Sequence, residues 1–267
     1  MPFRITNRSR CRYRDAVASG AVQRTAEPSG PAGAPSARPT RPVIGVGRPP
    51  WWLMLMAAVL ATAVTVDLLN RGRLERMDLR VSEVVSAWDL RDSGAYWPVW
   101  AVTQTGGRGF ILIVLAALVG WLAWRRRDVV LLVVVRVAIA LALLTTAVYA
   151  FKWGAGRTAP AYPGSFFHRN GSSYPSGHVA NAVLMWGVAR WQVVEFGLPD
   201  RVQRAAWVLS LLAPVATGVA MVALDFHWVT DAVVGAAVGI LLLGVVHLVD
   251  EHLLARFRHA RAGRAPS

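Results

Sequence analysis

The chain has 267 residues, of which 55% are hydrophobic and only 16% are charged, whereas a soluble domain typically carries about 25% charged residues. The segments Gly109–Trp124 and Ala205–Leu224 contain no Asp, Glu, Lys or Arg, so the composition excludes an ordinary soluble enzyme and indicates an integral membrane protein. The single cysteine, Cys11, excludes a disulfide scaffold and a cysteine-built metal site.

Residues 1–48 are predicted to be a disordered basic tail. They hold nine arginines and a stretch rich in Pro, Gly, Ala and Ser over 27–42, without apolar periodicity. Because the segment lacks the apolar centre of a secretory signal peptide, we expect a cytoplasmic tail attracted to membrane lipids. Residues 253–267 are predicted to be a second basic tail, which leaves residues 49–252 as the membrane domain.

Six apolar segments follow the first tail, and each approaches the roughly 20 residues needed to cross about 30 Å of hydrocarbon. They are Trp51–Leu69, Gly109–Trp124, Val129–Phe151, His178–Val194, Ala205–Leu224 and Val229–Val249. The second segment is short and the fourth contains Arg190, and both features are unusual in a span. The pattern predicts an all-α bundle of six transmembrane helices.

Residues 70–107, between the first two spans, have a different character. Counted with Asp67 and Arg108, the segment carries six arginines and six acidic residues, together with several aromatic side chains. This composition predicts one or two amphipathic helices at the membrane interface, and a solvated loop is the alternative.

Positive charge predicts the orientation of the spans. Positive residues lie in both tails, in the run Arg125–Arg127 and in the loop with Arg190, Arg201 and Arg204. All of these fall on one side, which we expect to be cytoplasmic. The net charge of +14 is therefore assigned to membrane topology rather than to nucleic acid binding. We expect a plasma-membrane protein with both termini in the cytoplasm and the loops 70–107 and 152–175 facing outward.

Three polar groups meet on this outward side. His227 and Asp231 are four residues apart and share a helical face, so the carboxylate can orient the imidazole as a nucleophile or base. An interfacial polar anchor is the alternative for this pair.

The run Pro175-Ser176-Gly177-His178 begins a predicted helix, where N–H groups favour an anion. Taken alone, the run is explained by default as a simple helix cap. Lys152 and Arg157 end the third span, and they are typical both of anion binding and of a helix C-terminus.

Taken together, two histidines, one aspartate and two cations fit phosphoryl transfer through a histidine nucleophile. A zinc site built from His178, His227 and Asp231 is geometrically conceivable, but the neighbouring cations would oppose a metal ion.

These residues resemble the type 2 phosphatidic acid phosphatase family, which shares its site with vanadium haloperoxidases. The family pattern consists of Lys, six residues and Arg-Pro, then Pro-Ser-Gly-His, then Ser-Arg, five residues, His, three residues and Asp. The second part is complete at 175–178, the third is matched by His227 and Asp231, and the first by Lys152 and Pro160.

The resemblance implies a role for each matched residue. His227 would be the nucleophile that becomes phosphorylated, Asp231 would orient it, and His178 would protonate the leaving group. The phosphoryl oxygens would be held by Lys152, Ser176 and Gly177. The resemblance implies no metal and no other cofactor.

The sequence departs from the family pattern at the arginines. The arginine of the first part falls on Ala159, and the Ser-Arg pair of the third falls on Ala220 and Met221. We expect Arg157 to replace one of the two missing cations, and Arg169 or His168 to replace the other. The alternative is a weakened relative, but the retained His-His-Asp set favours relocated cations.

The expected function is the hydrolysis of a lipid phosphate monoester or diphosphate through a phosphohistidine. Candidate substrates are a polyprenyl diphosphate, a polyprenyl-linked sugar phosphate, phosphatidate or phosphatidylglycerophosphate. The alternatives are a lipid phosphotransferase, a membrane lipid-binding or transport protein that retains the pocket, and a metal-dependent membrane hydrolase. The expected partners are the lipid substrate and membrane lipids, with no nucleic acid.

Overall fold

The structure is a computed structural model that describes residues 47–162 and 164–254. Over these residues it contains eight α-helices and no strands, so the all-α prediction is confirmed there. The helices are α1 (Trp51–Leu69), α2 (Arg73–Ser86), α3 (Tyr96–Thr103), α4 (Arg108–Arg125), α5 (Arg127–Ala155), α6 (Gly177–Glu195), α7 (Asp200–Ala223) and α8 (Val229–Val249). Short 3-10 turns lie at Leu90–Asp92 and Gln104–Gly106, and a π-helical turn at Asp250–Leu254 follows α8. Apart from their inner edges, the predicted tails 1–48 and 253–267 lie outside the described residues.

Five helices in the described part of the chain are long and apolar enough to cross a membrane. They are α1, α4, α5, α7 and α8 with its extension to His252. Each coincides within a few residues with an apolar segment of the sequence, because a run of this length in hydrocarbon must satisfy its own backbone hydrogen bonds as a helix. The charged turn at Arg126 separates α4 from α5.

Helix α6, the fourth predicted span, lies at the centre of the bundle. Twelve of its 19 residues are buried, mostly against α5, α7 and α8. Because neighbouring helices surround α6, it accommodates the polar side chains of Asn181 and Gln192, which are buried. These polar residues lower the mean hydropathy of the helix. It is not among the five helices above, and the sixth span therefore stays a prediction.

A buried arginine joins three helical segments at the end of the bundle far from the predicted site. Arg136 of α5 is 1% exposed and makes two hydrogen bonds each with the carboxylates of Glu195 and Asp250. Its guanidinium also lies 4.1 Å from the ring centroid of Trp191. Such pairing compensates the cost of burying a charge in an apolar bundle.

The segment 70–107 contains two helices, α2 and α3, joined by a short turn. The buried residues of α2 are Asp78 and Val85, and Leu74 on the same face packs on the apolar cluster that includes Leu68 of α1. The location of these helices at a membrane interface stays a prediction.

Two glycines bring α6 close to its neighbours where the predicted site lies. A Cβ atom on Gly235 of α8 would lie 2.5 Å from the carbonyl oxygen of Ser176, and one on Gly106 would lie 2.5 Å from that of His178. Only glycine permits such approaches. As a result, the start of α6 is held between the start of α8 and the turn that precedes α4.

Candidate active site

A cavity of about 450 Å³ lies where α4, α5, α6 and the turn before α8 meet. Its lining residues are Gly106, Arg108, Val148, Tyr149, Lys152, Ser172, Gly177, His178 and His227. It therefore brings together four of the residues that the sequence predicts for the site, namely Lys152, Gly177, His178 and His227. Among the described residues, no carboxylate lines this cavity, so its charge is positive.

The imidazole of His227 is held from one side. Its Nδ1 lies 3.4 Å from Oδ2 of Asp231 and 3.3 Å from Oγ of Ser173. The backbone N–H of His227 donates to the carbonyl of Met221, which closes the turn between α7 and α8. Because Nδ1 is engaged by these contacts, Nε2 is the nitrogen left for chemistry in the cavity.

Asp231 is fully buried in the first turn of α8, where a carboxylate is favoured by the N–H groups of the helix start. It accepts from the backbone N–H of Trp228 at 3.2 Å and from Nη1 of Arg157 at 2.6 Å. The hydroxyl of Ser173 donates to the same carboxylate. Sequence reasoning missed Ser173, because a serine in a loop of a single sequence carries no periodic signal.

Arg157 lies behind Asp231 and not in the cavity. Gly156, in the left-handed region with φ of 53°, ends α5 and turns the chain so that Arg157 becomes completely buried. A guanidinium has five N–H donors, and the five hydrogen bonds of Arg157 go to Ser165 (two), Thr230, Asp231 and Asp78. All five donors are thus used within the protein, whereas the sequence analysis expects this residue to bind phosphate.

Asp78 of α2 is the second carboxylate on Arg157, and sequence reasoning missed it. It is 1% exposed and accepts from Nη2 of Arg157 at 2.8 Å and from the backbone N–H and the hydroxyl of Thr230. Burial raises the pKa of the Asp78 carboxyl, while the hydrogen bonds from Thr230 and Arg157 act in the opposite direction. The segment 70–107 therefore supports the site from behind.

The start of α6 has the geometry that its sequence predicts. The Ser176 side chain caps the helix by accepting from the N–H of Val179 at 3.5 Å, and the Ser176 N–H donates to the carbonyl of Asp231 at 2.9 Å. Ser176 is completely buried and does not line the cavity, whereas Gly177 and His178 do. The Ser176–Asp231 bond fixes the two histidine-bearing helix starts relative to each other.

Two cationic side chains from the described part of the chain line the cavity. Lys152 lies in the last turn of α5, and its Nζ donates to the carbonyl of Ser172 at 2.6 Å. Arg108, the first residue of α4, is the other. Sequence reasoning missed Arg108 because it lies 44 positions before Lys152 and outside all three family motifs.

The remaining sequence candidates lie elsewhere. Arg169 and His168 are exposed in the loop between α5 and α6 and do not line the cavity. Met221, where the family pattern has an arginine, is 3% exposed and apolar. The described residues contain no group of three or more His, Cys, Asp or Glu placed to hold a metal ion.

The chain is similar to proteins of one family. Residues 129–253 match the family described as PAP2 superfamily. Phosphatidylglycerophosphatase B of Bacillus subtilis (strain 168) is 32% identical over 93 residues, which are 34% of this chain and 45% of that protein, so the match spans less than half of the relative.

The fold is similar to that of a solved structure titled the first transmembrane PAP2 type phosphatidylglycerolphosphate phosphatase from Bacillus subtilis. The TM-score is 0.57 at 21% sequence identity, and the likeness covers 76% of this chain and 96% of that one. The helices described here therefore share the fold of that structure.

Proposed function

We propose that this chain, whose residues 129–253 belong to the PAP2 superfamily, is a membrane phosphatase that hydrolyses a lipid phosphate monoester or diphosphate. One observation carries the proposal: His178, His227 and Lys152 line one cavity, although 26 to 75 residues separate Lys152 from the two histidines in the sequence. The contact of His227 with the buried Asp231 gives the imidazole the orientation that a nucleophile needs.

In the first proposed step, Nε2 of His227 attacks the phosphorus atom of the bound lipid phosphate. The N–P bond forms while the P–O bond to the lipid alcohol or to the departing phosphate breaks. His178 donates a proton to that oxygen as it leaves. Asp231 stabilises the positive charge that develops on the His227 ring.

In the second proposed step, water attacks the phosphohistidine. The now neutral His178 accepts a proton from the water, the new P–O bond forms and the N–P bond breaks. Inorganic phosphate leaves, and both histidines return to their starting state. Lys152 and the N–H groups around Gly177 hold the phosphoryl oxygens through both steps.

The membrane arrangement belongs to the same proposal. α6 is the sixth span, α2 and α3 lie at the interface, and the cavity opens at the outer surface of the plasma membrane with both termini in the cytoplasm. The arginines at 125–127, 201 and 204 support this orientation. A cavity at that depth accepts the headgroup while the lipid chains stay in the bilayer.

Phosphatidylglycerophosphate is the first substrate to test, because the curated relative is a phosphatidylglycerophosphatase. Phosphatidate, a polyprenyl diphosphate and a polyprenyl-linked sugar phosphate complete the panel. Detergent-purified protein is assayed for phosphate release with EDTA present throughout, since the cavity residues require no metal in the proposed steps. His227→Ala is compared with His252→Ala, which removes an exposed histidine beyond the far end of α8.

We expect wild type and His252→Ala to release phosphate equally and His227→Ala to lose activity by at least about 10³-fold. An acid-labile phosphoenzyme should form in wild type and not in His227→Ala. Equal rates in wild type and His227→Ala would reject the mechanism. Transfer of the phosphoryl group to a second lipid instead of water would assign the chain as a phosphotransferase, and lipid binding without turnover would assign it as a binding protein.

A further inference from the structure

The cavity is lined by a second cation, Arg108, which lies outside the three family motifs. Arg108 lines it together with Lys152, and neither side chain is in an ion pair with any carboxylate that the structure describes. The charges of Arg108 and Lys152 repel each other, and both act unfavourably on a protonated His178. A bound anion would relieve this repulsion, so the cavity is electrostatically complementary to phosphate.

The turn before Arg108 is fixed to α6. The carbonyl of Gly106 accepts from Nδ2 of Asn181 at 2.8 Å, and that of Thr105 accepts from Nε1 of Trp186 at 2.8 Å. The Thr105 hydroxyl also lies 2.9 Å from that of Thr217 in α7. Because this turn is hydrogen-bonded to α6 and α7, the backbone of Arg108 has a fixed position relative to His178.

The other candidate arginines do not reach the cavity. Arg157 uses all five of its N–H donors on protein acceptors, and Arg169 is exposed outside the cavity lining. The two positions where the family pattern has arginine hold Ala159 and Met221. Among the described residues, Arg108 is thus the only guanidinium in the lining of this cavity.

We propose that Arg108 binds the phosphoryl oxygens of the substrate opposite Lys152 and replaces the phosphate-binding arginines that the chain lacks in its motifs. The planar guanidinium can donate two parallel N–H bonds to one phosphate, which a lysine cannot do. This inference rests on the proposed function, because it assigns Arg108 to the same phosphoryl group that His227 attacks.

The test compares Arg108→Ala and Arg108→Lys with Arg125→Ala. Arg125 is the matched control, because it is an exposed arginine at the opposite end of the same helix. Each protein is assayed for kcat/KM on the best lipid phosphate and for inhibition by orthovanadate, a mimic of the phosphoryl transition state. Elution from a sizing column and the Tm in detergent show that each variant is folded.

We expect Arg108→Ala to lose about 10²–10³-fold in kcat/KM and to bind orthovanadate at least about tenfold more weakly. Arg108→Lys should lose less than Arg108→Ala, because lysine keeps the positive charge but lacks the two parallel N–H donors of a guanidinium. Arg125→Ala should stay within about twofold of wild type. An Arg108→Ala variant that keeps wild-type turnover and orthovanadate inhibition would overturn the inference and leave the proposed function intact.

A wild-type protein that releases no phosphate from any lipid would instead overturn the proposed function. Orthovanadate binding, followed by vanadium NMR, then decides the assignment of Arg108 without turnover. Weaker binding in Arg108→Ala than in Arg125→Ala would support an anion site at Arg108, and equal binding would reject it.

Discussion

The contacts of His227 are long for hydrogen bonds, and this suggests how its neighbours act. Nδ1 lies 3.3 Å from Ser173 Oγ and 3.4 Å from Asp231 Oδ2. In the proposed phosphoryl transfer the ring gains positive charge, so its attraction to the buried carboxylate increases and these contacts are expected to shorten. The Ser173 hydroxyl donates to the same carboxylate and so holds it beside the ring. We therefore propose Ser173 as a positioning residue for His227.

Replacing Ser173 by alanine tests that role. We expect Ser173→Ala to lower kcat by about tenfold, because a buried carboxylate loses one charge-assisted hydrogen bond worth about 1.5–3 kcal/mol. KM should change little, since Ser173 is not in the cavity lining. The matched control is Ser210→Ala, whose exposed hydroxyl only donates to a carbonyl of its own helix. A rise in KM with unchanged kcat would instead place Ser173 among the substrate contacts.

Residue types and spacings predict those parts of the candidate site that are local in the sequence, and not the parts that depend on distant contacts. The Pro-Ser-Gly-His run and the His227–Asp231 pair are local patterns, so a helix start and an i, i+4 face define their geometry from sequence alone. The position of an arginine side chain in the fold, by contrast, depends on residues that are distant in the sequence. Arg157 turns inward because Gly156 ends α5 and because two distant carboxylates meet there. Arg108 reaches the cavity only because a glycine turn packs on α6.

At the scale of elements, α2 is a structural support of the site. Leu74, Asp78, Val81 and Val85 lie at i, i+4, i+7 and i+11, and this spacing places the carboxylate on the same helical face as three apolar side chains. That placement is the sequence signal for a buried, partnered acid, and the balanced charge of the whole segment 70–107 conceals it. α2 also binds the turn before α8, where the hydroxyls of Ser82 and Ser86 donate to Asp225.

Asp78→Asn tests this attachment. An amide cannot accept from Arg157 and Thr230 as a carboxylate does, and the buried guanidinium loses one of its two counter-charges. We expect a loss of about 3–5 kcal/mol in the free energy of unfolding, visible as a lower Tm in detergent, together with reduced turnover. Asp89→Asn is the matched control, because Asp89 is exposed and asparagine tolerates its positive φ of 49°. Equal stability of the two variants would show that α2 contributes no essential charge.

The packing of α8 on α6 gives a second prediction at this scale. In Gly235→Ala the new Cβ would meet the backbone carbonyl of Ser176 at 2.5 Å, so the helix starts must separate. We expect a destabilisation of about 1–3 kcal/mol and lower activity, because the Ser176–Asp231 bond weakens. Gly120→Ala has no atom within 4 Å of its new Cβ and should be neutral or slightly stabilising. Comparable Tm values for both variants would contradict the close approach.

For the whole molecule, the two ends of α5 relate the cavity to the two faces of the membrane. α5 has 29 residues, a length of about 43 Å at 1.5 Å per residue, so its two ends must emerge on opposite sides of an apolar layer of about 30 Å. The arginine turn at 125–127 lies at one end, and Lys152 with the loop to α6 lies at the other. The cavity therefore faces away from the arginine turn, whichever way the protein is inserted.

Cysteine labelling assigns the two ends to the two sides of the membrane. In a Cys11→Ser background, Tyr162→Cys places a thiol in the exposed loop after α5, and Arg126→Cys places one in the arginine turn. We expect a membrane-impermeant maleimide to label Tyr162→Cys in intact cells and Arg126→Cys only after permeabilisation, because arginine-rich turns are retained in the cytoplasm. The reverse pattern would move the cavity to the cytoplasmic leaflet and change the pool of lipid phosphates it meets. The proposed phosphate chemistry would be unaffected, because the contacts among His227, Asp231, Ser173 and Arg157 do not depend on the direction of insertion.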